Sequence, residues 1–192
     1  TTIGLFSLLM VPYVFKFLWA PLLDRFCPPW LGRRRGWMAA SQFLLIGLMF
    51  ALAGQDPDSH VMLVAWLALG LAFLSATQDI AVDAYRAEIL LPKERGIGAG
   101  LSVAGYKIAM VVSGAGAFVL ADRIGFNATY AAIAVVMTIG VAATLIAREP
   151  RSPVAIPQSI GDALVRPFVA FFQRRDALAL LALVFLYKLG DA

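Results

Sequence analysis

The chain has 192 residues, 61% of them hydrophobic, with a mean hydropathy of +0.82 and a formal net charge of +4. A soluble domain is nearer about 45–50% apolar, so this composition excludes an ordinary soluble globular protein. It places the chain among all-α integral membrane proteins, because its apolar runs are too long for barrel strands of about ten residues. A single cysteine, Cys27, excludes an internal disulfide and a cysteine metal cluster.

Apolar stretches separated by turn signals predict five full spans, at residues 3–23, 36–53, 61–90, 97–121 and 128–147, and the start of a sixth near residue 177. Each full span reaches or approaches the ~20 residues needed to cross the hydrocarbon core. The connections 54–60, 92–96 and 122–127 are short, so neighbouring helices should be antiparallel.

The first span carries Lys16, with Leu9, Pro12, Tyr13 and Ala20 on its face. A lysine there can snorkel to the interface or pair with a carboxylate of the third span, and pairing is the sharper reading. The connection that follows holds Asp24 and Arg25, then Gly32, Arg33, Arg34 and Arg35. Asp24 can pair with these arginines and Gly32 permits a tight turn; an ordinary basic loop would also explain the arginines. In the next connection His60 lies near Asp56 and Asp58 and reads as a solvated loop residue.

The third span opens with residues 61–74, fourteen positions without a charge. Two carboxylates then appear with no Gly or Pro to end the helix. At 100° per residue, Ser75, Gln78, Asp79, Asp83 and Arg86 form one polar stripe. An ionised Asp at mid-bilayer costs at least ~2.5 kcal/mol, so such residues face a bundle interior or a watery cavity. The stripe therefore points to a pathway for ions or a polar solute. Asp83 should pair with Arg86, leaving Asp79 as the better candidate for reversible protonation. Glu88 lies opposite the stripe and suits a surface pair with Lys93 or Arg95.

Lys107 lies near the middle of the fourth span, beside Tyr106. Gly96, Gly100 and Gly114 share its face, while Gly98, Gly105 and Gly116 lie opposite. Small residues on both faces let other helices approach closely, so this helix is expected to be buried, with Lys107 facing a central cavity or paired structurally with Asp79 or Asp83. In the sixth span Lys188 and Asp191 are i, i+3 and can pair locally.

Counted along the connections, Lys plus Arg runs 4, 0, 2, 1, 5, which places the first, third and fifth on the cytoplasmic side. The start of the chain is then outside, and a preceding span is expected. The net charge reflects this bias and calls for no nucleic-acid partner. The organisation expected is an N-terminal membrane bundle over residues 1–147, a cytoplasmic linker over 148–176, and the start of a C-terminal bundle over 177–192. Within the linker Ile160, Leu164, Phe168, Phe171 and Phe172 recur at helical spacing before Arg174 and Arg175. This reads as an amphipathic helix in the membrane interface, with Pro167 a kink or restart.

The order Asp24-Arg25, then Gly32-Arg33-Arg34-Arg35, resembles the signature loop between the second and third helices of major facilitator transporters. Ala20 replaces the usual leading glycine, and six residues rather than one separate Arg25 from Gly32. Phe15-Lys16-Phe17-Leu18-Trp19, Ser75-Ala76-Thr77-Gln78-Asp79-Ile80, Gly105-Tyr106-Lys107 and Tyr187-Lys188-Leu189-Gly190-Asp191 narrow the resemblance to AmpG-type muropeptide permeases. The related acetyl-coenzyme A transporter branch shares several of these features. The resemblance implies a major facilitator-type N-terminal half, lacking its first helix, and the start of the second half. It implies an inner-membrane symporter of bacteria that imports anhydro-muropeptides with protons, with the signature loop as a cytoplasmic gate.

On that reading Lys16 and Lys107 would meet substrate carboxylates. Tyr13, Gln78 and Tyr106 would donate hydrogen bonds, and Asp79 or Asp83 would carry the proton. Arg86, Lys188 and Asp191 join this charge-pairing set. The partners implied are the solute, protons, the bilayer and the remaining helices. No metal or cofactor is implied, and no nucleophile–histidine–acid set, phosphate loop or metal-ligand spacing suggests an enzyme. The rival readings are a carrier for another anionic solute, such as a coenzyme A ester, a drug–proton exchanger, or a non-transporting membrane receptor.

Cysteines placed at Ser59 and Lys93 of the full-length protein should react with an impermeant reagent from opposite sides of the membrane; labelling of both from one side would overturn the topology.

Overall fold

A computed structural model describes residues 8–56, 59–150 and 160–190, and all regular structure in them is helical. The chain divides into two compact units, Thr1–Val154 and Ala155–Ala192. In the first, short helices α1 (Val11–Phe15) and α2 (Ala20–Arg25) precede three long ones: α3 (Arg33–Ala53), α4 (Val61–Ile89) and α5 (Arg95–Val111). A π-helical turn, Val112–Gly116, then leads into α6 (Ala117–Ile146). The second unit holds α7 (Ile160–Phe172) and α8 (Ala177–Gly190).

Three stretches among the described residues are long and apolar enough to cross a membrane: Arg33–Ala53, Val61–Ile89 and the helical run Pro92–Ile146, which is interrupted at Gly125. The 29 residues of α4 extend roughly 44 Å at 1.5 Å per residue. The hydrocarbon core is about 30 Å thick, so an end of α4 stands clear of it. The helix α3 packs closely against both α4 and α6. Their shared core is built largely of small side chains, Ala39, Ala76, Ala81 and Ala134, with Leu45 and Val141 between them. Small residues bring backbones together where no hydrophobic drive separates helix from lipid. The buried hydroxyls are satisfied within their own helices. Thr77 donates to the Phe73 carbonyl, Thr129 to Gly125 and Thr144 to Gly140, at 2.8, 2.8 and 3.0 Å.

Three expectations need correction. The first span is not one continuous helix. A 3-10 turn, Lys16–Leu18, separates α1 from α2. Pro21 explains the break: it has no N–H for the carbonyl of Phe17 four residues back, and its ring crowds that carbonyl. The chain tightens instead, with Leu22 N–H donating to the Trp19 carbonyl at 2.9 Å.

The connection at 122–127 is also shorter than expected. Helical geometry continues up to Gly125, which alone breaks it, at φ 82° and ψ 162°. This backbone region is open essentially only to glycine. Asn127, just beyond, donates to the Gln55 carbonyl at 3.1 Å.

Finally, α5 is not buried: none of its residues is, and Tyr106 and Lys107 are exposed. A Cβ added at Gly96, Gly100 or Gly105 would meet nothing within 4 Å. The surface at these three glycines is thus unoccupied among the described residues, whereas Gly98 lies against the Leu90 side chain. In the second unit α7 runs through Pro167 without a break.

Gly125→Ala should lower stability by about 1–3 kcal/mol through backbone strain alone, since space for the methyl is open. Gly116→Ala, at an ordinary helical φ of −61°, is the control. Thermal unfolding in detergent should show a lower midpoint for the first variant and not for the second.

Candidate functional site

Two polar constellations stand out, and the first is built on the start of α3. Gly32 precedes that helix at φ 85°. The next N–H groups have no carbonyl within the helix to receive them. The carboxylate of Glu149 takes two of them: Arg34 N–H at 2.9 Å and Arg35 N–H at 3.0 Å. A Cβ at Gly32 would lie 2.7 Å from the Glu149 carboxyl carbon, so glycine is needed there for space as well as for φ.

The arginine side chains reach three further elements. Arg34 pairs with Asp24, at the end of α2, at 2.6 Å. Its Nε donates to Glu88 of α4 at 2.8 Å, and its Nη2 contacts the same oxygen. Arg33 reaches Glu88 at 3.3 Å. Arg35 donates to the carbonyls of Thr144 at 2.9 Å and Leu145 at 2.5 Å, in the last turn of α6. One ring of charge therefore ties together the ends of α2, α3, α4 and α6. Arg25 is exposed and has no ion pair among the described residues.

Glu88 had been expected to pair on the surface with Lys93 or Arg95. Its side chain is instead only 11% exposed and is held by Arg33 and Arg34. The reason is the packing of α3 on α4, which brings the first turn of α3 to the last turn of α4. Glu149 was not singled out from the sequence. The available signal was an acid directly after a span, on the side where the next-packed helix exposes its free N–H groups.

The second constellation lies along α4. Tyr13 of α1 and Ser75, Gln78 and Asp79 of α4 line a cavity of about 450 Å³, walled also by Leu45 and Met137. Lys16, in the 3-10 turn, reaches Asp79 at 3.4 Å, with side chains 34% and 55% exposed respectively. Asp83 pairs with Arg86 at 3.0 Å, one turn along the same helix. The Gln78 carbonyl oxygen is buried without a hydrogen-bond partner. Beside this set, Trp19 donates to Thr77 Oγ1 at 3.1 Å and its ring packs on Phe73 at 4.9 Å.

The structure thus brings Tyr13, Lys16, Gln78 and Asp79 together. Tyr106 and Lys107 stand apart on the exposed α5, and Lys107 has no ion pair among the described residues. Lys188 lies in the last turn of α8, and Asp191 lies outside the described residues. Arg86 borders a second cavity, of about 530 Å³, together with Gln42, Tyr85 and Ser102.

With this geometry in hand, the comparisons with known proteins decide the family. A model of the Major Facilitator Superfamily matches residues 1–189. The chain belongs to that superfamily. It is 45% identical over 192 residues to the anhydromuropeptide permease of Escherichia coli, covering all of this chain and 39% of that one. It is 41% identical over 195 residues to an uncharacterized protein of Haemophilus influenzae, covering 99% of this chain and 46% of the other. The resemblance to AmpG-type permeases therefore runs through the whole chain, which spans less than half the length of these relatives. The protein is a polytopic membrane protein of the superfamily.

Removing one partner of a buried ion pair costs roughly 3–5 kcal/mol, because the other charge is stranded. Glu88→Gln and Arg34→Gln should each destabilise the bundle on that order, and the double variant by clearly less than the sum. Unfolding midpoints of the three variants in detergent measure this coupling; strict additivity would show that the pair is not energetically joined.

Proposed function

We propose that this chain is part of a proton-coupled transporter of the bacterial inner membrane that imports anhydro-muropeptides by alternating access. The observation that carries the reading is the Lys16–Asp79 pair beside a largely apolar cavity into which Tyr13, Ser75, Gln78 and Asp79 bring polar groups. The similarity to a named anhydromuropeptide permease supports the substrate class.

The pair suits carrier chemistry because it is loose. At 3.4 Å, with both side chains partly accessible, Lys16 would be able to exchange partners. A carboxylate on the solute would take Lys16 from Asp79. An unpaired carboxylate among apolar walls is costly, and a proton would replace the lost cation. Solute and proton would then be bound in one state and released together when the site opens to the other side. Tyr13 and Gln78 line the same cavity and would orient the solute, with the free Gln78 carbonyl accepting a hydroxyl or amide N–H. Asp83, paired with Arg86 one turn along the same helix, would serve structure rather than coupling. The charged ring of Asp24, Arg33, Arg34, Glu88 and Glu149 would stabilise one closed arrangement at the cytoplasmic face. Nothing in this scheme requires a cofactor or a covalent step; the protein would act as a carrier, not an enzyme.

In the full-length protein Asp79→Asn should abolish proton-driven accumulation of labelled anhydro-muropeptide yet preserve counterflow exchange. Asp83→Asn should instead lower the amount of folded protein in the membrane only modestly, because the Asp83–Arg86 pair is local and as accessible as the Lys16–Asp79 pair. Normal proton uptake and accumulation by Asp79→Asn would remove Asp79 from coupling, and loss of exchange as well would assign it to binding or structure. Failure of the unaltered protein to take up the muropeptide, with uptake of another anionic solute, would overturn the substrate assignment and leave the coupling scheme standing.

A further inference from the structure

The second unit carries a surface that the transport scheme does not use. On α7, Val165, Phe168, Val169 and Phe172 follow one another at i, i+3, i+4 and i+7, and so share one face. All four are exposed, at 59%, 59%, 47% and 59%. Phe171 meets Phe172 edge to face at the C-terminal end of that surface, with centroids 5.5 Å apart. Large apolar side chains aligned in this way are costly to leave in water.

The chain beyond α7 says what covers them. A hydrogen-bonded turn follows: Arg174 N–H donates to the Phe171 carbonyl at 3.1 Å and Ala177 N–H to the Arg174 carbonyl at 3.2 Å. At once α8 begins, with Leu178, Leu183, Val184, Phe185 and Leu186 all exposed. A helix whose exposed residues are this apolar is suited to hydrocarbon, so the turn before it stands where a bilayer gives way to water. Arg174 and Arg175 occupy that turn. Both are exposed, and neither has an ion pair among the described residues. Asp176 comes directly before α8, where the positive end of the helix dipole favours it.

We propose that α7 and the Arg174–Arg175 turn form a docking surface for an anionic phospholipid bilayer. The face of Val165, Phe168, Val169 and Phe172 seats among the upper acyl chains, and the two guanidinium groups take phosphate oxygens of the headgroups. Lysines and arginines near an anionic surface are attracted to it over a Debye length, and guanidinium matches phosphate geometry in pairs of hydrogen bonds. The helix thereby becomes an anchor lying in the membrane plane, sensitive to lipid charge. This inference needs the membrane but not the transport scheme, so the two stand or fall separately.

The test uses the full-length protein freed of native cysteines, Cys27 included, with a nitroxide at Val169→Cys. It is reconstituted into vesicles of phosphatidylglycerol mixed with phosphatidylcholine, or of phosphatidylcholine alone. In the anionic vesicles the label should be reached by dissolved oxygen and shielded from a water-soluble nickel chelate. The ratio of docked to undocked label should exceed that in the zwitterionic vesicles by roughly tenfold, and the excess should vanish in high salt. Arg174→Gln with Arg175→Gln should remove that excess while leaving docking in phosphatidylcholine unchanged. Three results would overturn the proposal: free access of the chelate in both vesicle types, shielding from both reagents (protein rather than lipid covers the face), or lipid-charge dependence that survives the double substitution.

Discussion

Arg34 is the residue on which the first unit depends. Its side chain is only 7% exposed and holds carboxylates from two different helices, Asp24 and Glu88. A guanidinium removed from water needs anions and hydrogen-bond acceptors in fixed geometry, and its planar fork accepts few arrangements. That requirement sets where α2 ends, where α4 ends and how each meets the start of α3. Glu149 completes the constraint from the α6 side by accepting the free N–H groups of Arg34 and Arg35. Helix ends, where backbone groups lack partners, are joined here by side chains that each satisfy a neighbour's deficit.

Inside the bundle the logic is different. Thr77, Thr129 and Thr144 return their hydroxyls to carbonyls four residues earlier. Such local bonds keep polar side chains satisfied within their own helix, which suits a phase with no water to supply partners, and Thr77 accepts a further bond from Trp19. The Lys16–Asp79 pair departs from this pattern. It crosses between elements, it is partly exposed, and its lysine sits in a 3-10 turn rather than in a helix. It joins two elements away from the charged ring. Structural stiffness is thus concentrated at one end of the bundle, and exchangeable polarity lies beside the cavity lined by Tyr13, Gln78 and Asp79.

Particular residues show how much of this was legible beforehand. The spans at 36–53 and 61–90 place α3 and α4 to within three residues, although α3 starts at Arg33 and α4 continues through the charges from Asp79 onward. The Asp83–Arg86 pair follows from helical spacing alone, and a carboxylate partner for Lys16 was foreseen because a lysine in a span needs one. Pro21 was visible, yet the broken first span was not foreseen, since a long apolar stretch outweighed a single proline. Glu88 was given surface partners nearby in sequence, whereas its true partners lie more than fifty residues away.

The sequence by itself determined the class of the protein, the positions of its long helices, the polar stripe on α4 and the basic loop before α3. These depend on hydropathy, period and charge, which are local quantities. Only the tertiary structure decided which acid meets which arginine, that Glu149 caps α3, and that Tyr13, Lys16, Gln78 and Asp79 share one corner. It also decided that a lone Gly125 breaks the helical run between the fourth and fifth spans, and that Lys107 stays exposed. Those outcomes depend on how helices far apart in sequence abut, and periodicity along a single helix carries no information about the neighbour it will meet.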